Sequence, residues 1–174
     1  MVPARRSSGS FDEAWPMPTE NRHRLWGFGT PCIVKHMPRM KTAAAGFYAL
    51  NGTSVLRSIE SLHKERIVKV FEAIREQNPP RGILLVLDNF SSHVSSYTRA
   101  VELGITLVFL PLASPHLQPI EPVWNNLKRA ISPISTESAD EFRALIETIF
   151  LELTRRLSFA AYWIETFLDV NKLR

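Results

Sequence analysis

Cysteine is almost missing from this 174-residue chain: Cys32 stands alone, so no internal disulfide can form and nothing points to an oxidising compartment. Long apolar runs are missing too. The longest, residues 104–112, falls far short of the roughly 20 residues a membrane-spanning helix needs, and residues 1–10 lack the apolar stretch of a signal peptide. No membrane partner is expected, and a cytoplasmic setting is the default. Charge of one sign is scarce as well, the net being +4, but its placement is uneven. Residues 1–41 hold seven Lys or Arg against three acids, whereas the rest holds fourteen of each. A basic arm on a neutral body suits a polyanion, because neutralising phosphates releases counterions. A solvated tail kept for solubility reads equally well from charge alone.

What is present fits one domain. Hydrophobic residues make up 45% and charged residues 22%, close to the soluble globular average, so a packed core is expected. Residues 1–10, small, basic and turn-forming, read as a disordered basic tail unable to form a buried strand. The domain proper is assigned to residues 11–174. After a short strand, Pro16, Pro18, Pro31 and Pro38 predict an irregular segment to residue 41. Residues 42–50 and 53–59 flank Asn51-Gly52 and predict an antiparallel hairpin with a type I′ turn. Ile67, Val70, Phe71 and Ile74 recur at helical spacing over residues 61–78, with Ser61 as a cap and Pro79-Pro80 as a stop.

Residues 82–88 and 105–110 are apolar on both faces, as strands of a covered parallel sheet are. A helix over 91–103 should join them, stopped by Gly104. Ile120, Val123, Trp124, Leu127 and Ile131 mark a helix interrupted near Pro133. Two more helices are expected, over residues 141–157 and about 160–170. The order predicts an α/β fold: a mixed central sheet, antiparallel hairpin plus parallel strands, flanked by helices.

Three carboxylates stand where such a sheet gathers function. Asp88 ends the apolar run 83–87, at the carboxyl end of a parallel strand. Glu121 opens a helix, where the macrodipole favours its charge, and carries Asn125 and Lys128 on the same polar face. Asp12 would lie on a neighbouring strand, although Asp12 and Glu13 compete for the inward position. Hard carboxylate oxygens are what Mg²⁺ or Mn²⁺ prefer, and such ions promote phosphodiester chemistry. Bland readings stand beside this one: an Asp after a strand caps the next helix, and a first-turn Glu answers the dipole.

Residues 87–93, Leu-Asp-Asn-Phe-Ser-Ser-His, resemble the second-aspartate motif of bacterial and archaeal insertion-sequence transposases of the mariner-like superfamily. Residues 110–128, with Ser114-Pro115-His116-Leu117-Gln118-Pro119-Ile120-Glu121 and Trp124, resemble that family's long third-carboxylate motif. Phe11-Asp12-Glu13 is similar to its first motif, and Arg24-Leu25-Trp26 to the Arg-x-Trp that follows. The resemblance runs from about residue 10 to about residue 155.

It implies a ribonuclease H-like fold and a DDE catalytic domain in which Asp12, Asp88 and Glu121 hold two Mg²⁺ or Mn²⁺ ions roughly 4 Å apart. DNA, both element ends and target, is the implied partner, with Arg22, Arg24, Lys128 and Arg129 as contact candidates. A homodimer and a prokaryotic, nucleoid-associated setting are implied as well. Asn89, His93 and Asn125 would support the triad, with helix capping preferred for Asn89 and His93. Trp124 is expected in the core.

Departures from the family pattern carry expectations of their own. Leu112, Ala113 and Gln118 replace Pro, Tyr and Asn of the third motif, which predicts a looser loop before Glu121. Ser7-Ser8-Gly9-Ser10 replaces an apolar strand, leaving the central strand little to bury. The family's upstream helix-turn-helix region is not found, which suggests a downstream reading frame joined to a DNA-binding partner by frameshifting, or a decayed remnant. An inactive module binding DNA or protein is therefore the alternative function, and a nuclease of the same fold acting in repair or on RNA–DNA hybrids ranks third.

Overall fold

The structure, a computed structural model, describes residues 6–167 apart from 23, 25, 31, 80, 81 and 113, with the side chains at 162, 166 and 167 left aside. Its strands are β1 (Ser7–Ala14), β2 (Ala43–Asn51), β3 (Val55–Ile59), β4 (Ile83–Leu87) and β5 (Ile105–Phe109). The helices are α1 (Lys64–Gln77), α2 (Ser91–Ser95), α3 (Tyr97–Glu102), α4 (Glu121–Ile131), α5 (Ala139–Thr154) and α6 (Ala161–Phe167). One mixed sheet runs β3-β2-β1-β4-β5, antiparallel through β1, β2 and β3 and parallel through β1, β4 and β5. The expected α/β architecture is present. No helix among the described residues is long and apolar enough to cross a membrane.

Strand parity divides the core in two. Phe11, Ala43, Ala45, Phe47, Val55 and Ile59 face α1 and α3, meeting Ile67, Val70, Phe71, Ile74 and Ala100. Ala14, Ala44, Tyr48 and Leu56 face α4 and α5, meeting Val123, Trp124, Leu127, Phe142, Ile146 and Phe150. The sheet is therefore covered on both sides around its central strand β1, while the edge strand β5 buries Ile105 and Leu107 on one face and exposes Thr106 and Val108 on the other.

That central strand corrects the expectation of a tail through residue 10. Ser7 to Ser10 pair with Ile83 to Val86, and Ser7 and Ser10 are buried. The reason is steric. A Cβ on Gly9 would lie 2.3 Å from the Tyr48 carbonyl oxygen and 2.6 Å from the Phe47 ring, so β2 fills the space that a larger β1 would occupy. The strand supplies backbone for two ladders while its neighbours supply the apolar cover. Residues 1–5 of the expected tail lie outside the described residues.

Other boundaries shift for local reasons. The hairpin forms, but β2 ends at Asn51 and β3 resumes at Val55, a longer connection than the two-residue turn expected. Asn78, just beyond α1, holds it: Thr53 N donates to Asn78 Oδ1 at 2.8 Å, and Asn78 Nδ2 donates to Thr53 O at 3.1 Å and Ile74 O at 3.0 Å. Helix α1 starts at Lys64, with His63 rather than Ser61 at its cap. The single helix expected over 91–103 is two, divided at buried Ser96, whose hydroxyl donates to Ser92 O at 2.7 Å. Helix α5 begins at Ala139 because Ser138 accepts from Glu141 N at 3.1 Å and the Glu141 carboxylate accepts from Glu137 N at 2.7 Å, a reciprocal cap. The last helix spans Ala161–Phe167, and the remainder of its expected range lies outside the described residues.

Between β1 and β2 the chain is irregular, as its prolines predict. Lys35 ties this segment to the body, its ammonium donating to Pro18 O at 2.6 Å, Glu20 O at 3.1 Å and Ser132 O at 2.9 Å.

Candidate active site

The alternation of β1 decides which of two adjacent carboxylates enters the site. Because Phe11 is committed to the α1 side, Asp12 turns to the α4 side and Glu13 to the α2 side. Gly46 pairs directly with Asp12 across the β1–β2 ladder. A Cβ on Gly46 would lie 2.7 Å from the Trp124 ring, so only glycine lets that indole close over β2. Trp124, buried in the core as expected, then donates Nε1–H to Asp12 Oδ2 at 3.1 Å.

Glu121 is the first residue of α4, and its N–H donates to Gln118 O at 3.2 Å. Gln118 is buried and donates Nε2–H to Phe11 O at 3.1 Å, one residue before Asp12. At this position the third-motif loop is tied to β1 rather than loosened, correcting the expectation drawn from the Gln for Asn replacement. Leu112 is exposed and residue 113 lies outside the described residues. Asp88 follows β4 and is half exposed; its Oδ1 accepts from Phe90 N at 3.0 Å and faces His93 Nδ1 at 2.7 Å. Asn89 Nδ2 donates to Leu110 O, joining the exits of β4 and β5.

Asp12, Asp88, Asn89 and Glu121 thereby line one cavity of about 360 Å³, walled by Leu110, Pro111, Pro115 and Gln118. Electrostatically the cavity is short of positive charge. Burial first, then the charges of Glu13, Glu121 and Asp88, push the Asp12 carboxyl up to about 7 against the lowering effect of the Glu13 backbone N–H. Among the described residues no three acidic, imidazole or thiol groups are gathered tightly enough to hold one ion by themselves. The donor set nevertheless fits Mg²⁺ or Mn²⁺, which take hard oxygens from one or two carboxylates and complete their shells with water and phosphate. A wide cavity with mutually repelling carboxylates leaves room for those further ligands.

Residues 10–146 match the family model described as DDE superfamily endonuclease. The chain belongs to this family. All three carboxylates fall inside the match to the DDE endonucleases. Among curated proteins none matches the sequence. Among solved structures, the Mos1 strand transfer complex aligns at 13% identity and TM-score 0.56 over 95% of this chain and 54% of that one. The catalytic domain of Mos1 mariner transposase aligns at 11% identity and TM-score 0.55, covering 86% of this chain and 76% of that domain. The same catalytic domain with Raltegravir and Mn aligns at 14% identity and TM-score 0.55, with the same coverage. These likenesses establish a shared ribonuclease H-like fold. The chain spans about half the length of the Mos1 chain in the strand transfer complex.

Within this DDE fold, Glu13 is a residue the sequence reading left undecided. Its carboxylate, 7% exposed, lies 2.9 Å from Nε2 of fully buried His93, whose Nδ1 faces Asp88. Two carboxylate oxygens facing both ring nitrogens are satisfied together only when both nitrogens carry hydrogens. Burial lowers the His93 pKa, but Glu13 and Asp88 outweigh it and leave it raised. The helix-capping role expected for His93 is not what its ring does. It bridges α2 to β1 and to the exit of β4, with the Phe11 and Phe90 rings edge-on at 5.4 and 5.5 Å. Alternation alone, with Phe11 as the fixed apolar position, was the signal for Glu13.

The remaining candidates gather less tightly. Asn125 sits one turn after Glu121 and its Oδ1 accepts from the Arg22 guanidinium at 3.0 Å, while Arg22 also pairs with Glu20 at 3.0 Å. Arg24 is exposed between β1 and β2, and Lys128 and Arg129 lie further along α4. None of the four basic residues lines the carboxylate cavity.

Proposed function

We propose that this chain is the catalytic domain of a DNA transposase that cleaves phosphodiester bonds and joins the 3′ ends to target DNA. The observation that carries the reading is the convergence of Asp12, Asp88 and Glu121, from β1, the end of β4 and the start of α4, on one cavity. Asp12, Asp88 and Glu121 are the residues that would hold a pair of Mg²⁺ or Mn²⁺ ions. Bound there, such ions activate a water or 3′ hydroxyl and stabilise the leaving oxygen. Solved forms of the Mos1 catalytic domain carrying Mn or Mg are consistent with this assignment.

Each residue's part follows from its setting. Trp124 fixes one oxygen of Asp12, leaving Oδ1 for a ligand. His93 and the Phe90 N–H engage Oδ1 of Asp88, leaving Oδ2. Gln118 fixes the loop that delivers Glu121. Arg22, Arg24, Lys128 and Arg129, which lie outside the cavity lining, are the basic residues that would contact the phosphate backbone of transposon ends and target, and a homodimer would bring two such sites to two ends.

The test is strand transfer in Mg²⁺ or Mn²⁺ by the chain joined to a DNA-binding portion that supplies the ends. Asp88→Asn should lower product formation by about a hundred- to a thousandfold, on the scale of losing one group that stabilises charge in the transition state. Equal activity in that variant rules out the mechanism.

A further inference from the structure

Beside the carboxylate cavity lies a second one of about 210 Å³. Pro115, Gln118 and Glu121 line both, so the two adjoin across a shared wall. The rest of the second lining is of a different kind. The rings of Phe159 and Trp163 come from the turn Leu157–Phe159 and from α6, and the rings of Pro119 and Pro122 come from the loop before α4 and from its first turn. Trp163 is fixed in place by Nε1–H donating to Leu117 O at 2.7 Å. Asn125 and His116 supply the polar edge. Because Asn125 Oδ1 accepts from Arg22, its amide hydrogens remain to meet an acceptor.

No Lys or Arg lines this cavity and a carboxylate does, which disfavours a phosphate. Gln118 also lines it but spends its amide on Phe11 O, so rings edged by the Asn125 amide and the His116 imidazole suit a flat heterocycle bearing hydrogen-bond acceptors. A base is tethered to its own phosphate through a single sugar. A phosphodiester held at Asp12, Asp88 and Glu121 would therefore carry its base to the adjoining cavity. Resting on the reading of the carboxylate site as one that handles a DNA strand, we infer that the Phe159–Trp163 cavity receives an unstacked nucleobase of the reacting strand. Enzymes that must reach into a duplex commonly draw a nucleotide out of the stack and hold its base against aromatic side chains.

The test uses the full chain, Ca²⁺ as the divalent ion, and a DNA duplex whose single-stranded 3′ overhang carries 5-iodouracil. Long-wave ultraviolet light should crosslink that base to Trp163 or Phe159, read by peptide mass. Trp163→Ala should weaken binding of this DNA by about tenfold, in line with loss of one base–aromatic stack, and leave binding of the same DNA with an abasic overhang unchanged. Trp163→Phe, which keeps a ring but not the bond to Leu117, should retain the crosslink. Its retention separates stacking from a disturbed loop. Crosslinks only outside residues 159–163, or equal losses on the base-bearing and abasic DNA, overturn the proposal. If that happens while Mn²⁺-dependent cleavage still requires Asp88, the base pocket fails and the transposase reading stands. If cleavage ignores Asp88, both fail.

Discussion

At the scale of single residues, adjacency in sequence and adjacency in space part company at Asp12 and Glu13. The two carboxylates were indistinguishable as neighbours in a strand of unknown register, yet Phe11 settled their faces once it was placed in the α1 core. Glu13 reaches His93, and His93 reaches Asp88, so a change at Glu13 is felt at a carboxylate just beyond the end of another strand. Glu13→Gln should keep the fold but loosen that bridge. Metal affinity or Mn²⁺-dependent activity should fall by about 10- to 100-fold, the usual effect of losing a group that orients a ligand. Metal titration with a parallel melting curve checks this, and unchanged affinity would sever Glu13 from the site. Ser10 offers a prediction of the opposite sign. Its hydroxyl is fully buried and meets no hydrogen-bond partner among the described residues. Ser10→Ala should stabilise the protein by about 1 kcal/mol, since an unsatisfied buried hydroxyl costs about that much or more. Chemical denaturation measures it.

At the scale of elements, the strands and helices that bury apolar stripes were legible because periodicity records which face is covered. The run 83–87 and the stripe of α4 are cases, whereas the continuous run 105–109 proves to be an edge strand that buries Ile105 and Leu107 but exposes Thr106 and Val108. What escaped was whatever depends on a distant partner. The first half of β1 has no apolar stripe of its own, being covered by Phe47 and Tyr48 of β2. The split between α2 and α3 rests on one serine turning inward. The hairpin was legible in Asn51-Gly52, but its length is set by Asn78, an amide lying 25 residues beyond Thr53. Asn78→Ala would leave Thr53 without two bonds and Ile74 without one. A loss of about 2–4 kcal/mol is expected, near 1 kcal/mol for each bond plus desolvation of the orphaned groups. Local loosening of the β2–β3 connection, seen as faster amide exchange at Thr53, should accompany it. A melting point unchanged from wild type would show that the clamp is dispensable.

At the scale of the whole molecule, the fold holds together despite its site. Two hydrophobic layers grip the sheet, and Asp12 is carried into partial burial beside Glu13, Glu121 and Asp88. Without a cation that arrangement opposes folding. The sign follows from the shift: Asp12 titrates near 3.8 when unfolded and about 7 when folded, so the folded state holds the extra proton between those values. Stability therefore declines as pH rises from about 4 to 7 and levels above that. Asp12→Asn keeps an acceptor for Trp124 while removing the charge. In metal-free buffer it should melt higher than wild type, by little near pH 4 and by most above pH 7, with an upper bound of about 4 kcal/mol. Divalent ions reverse the order. Mn²⁺ binding only the folded state raises the wild-type melting point by mass action, and the rise should shrink as pH falls below 7, because the Asp12 proton must leave first. The variant should show little rise at any pH. A wild-type protein whose melting point ignores both Mn²⁺ and chelator, and is matched by Asp12→Asn across the pH range, would mean that the three carboxylates do not act as one charged site.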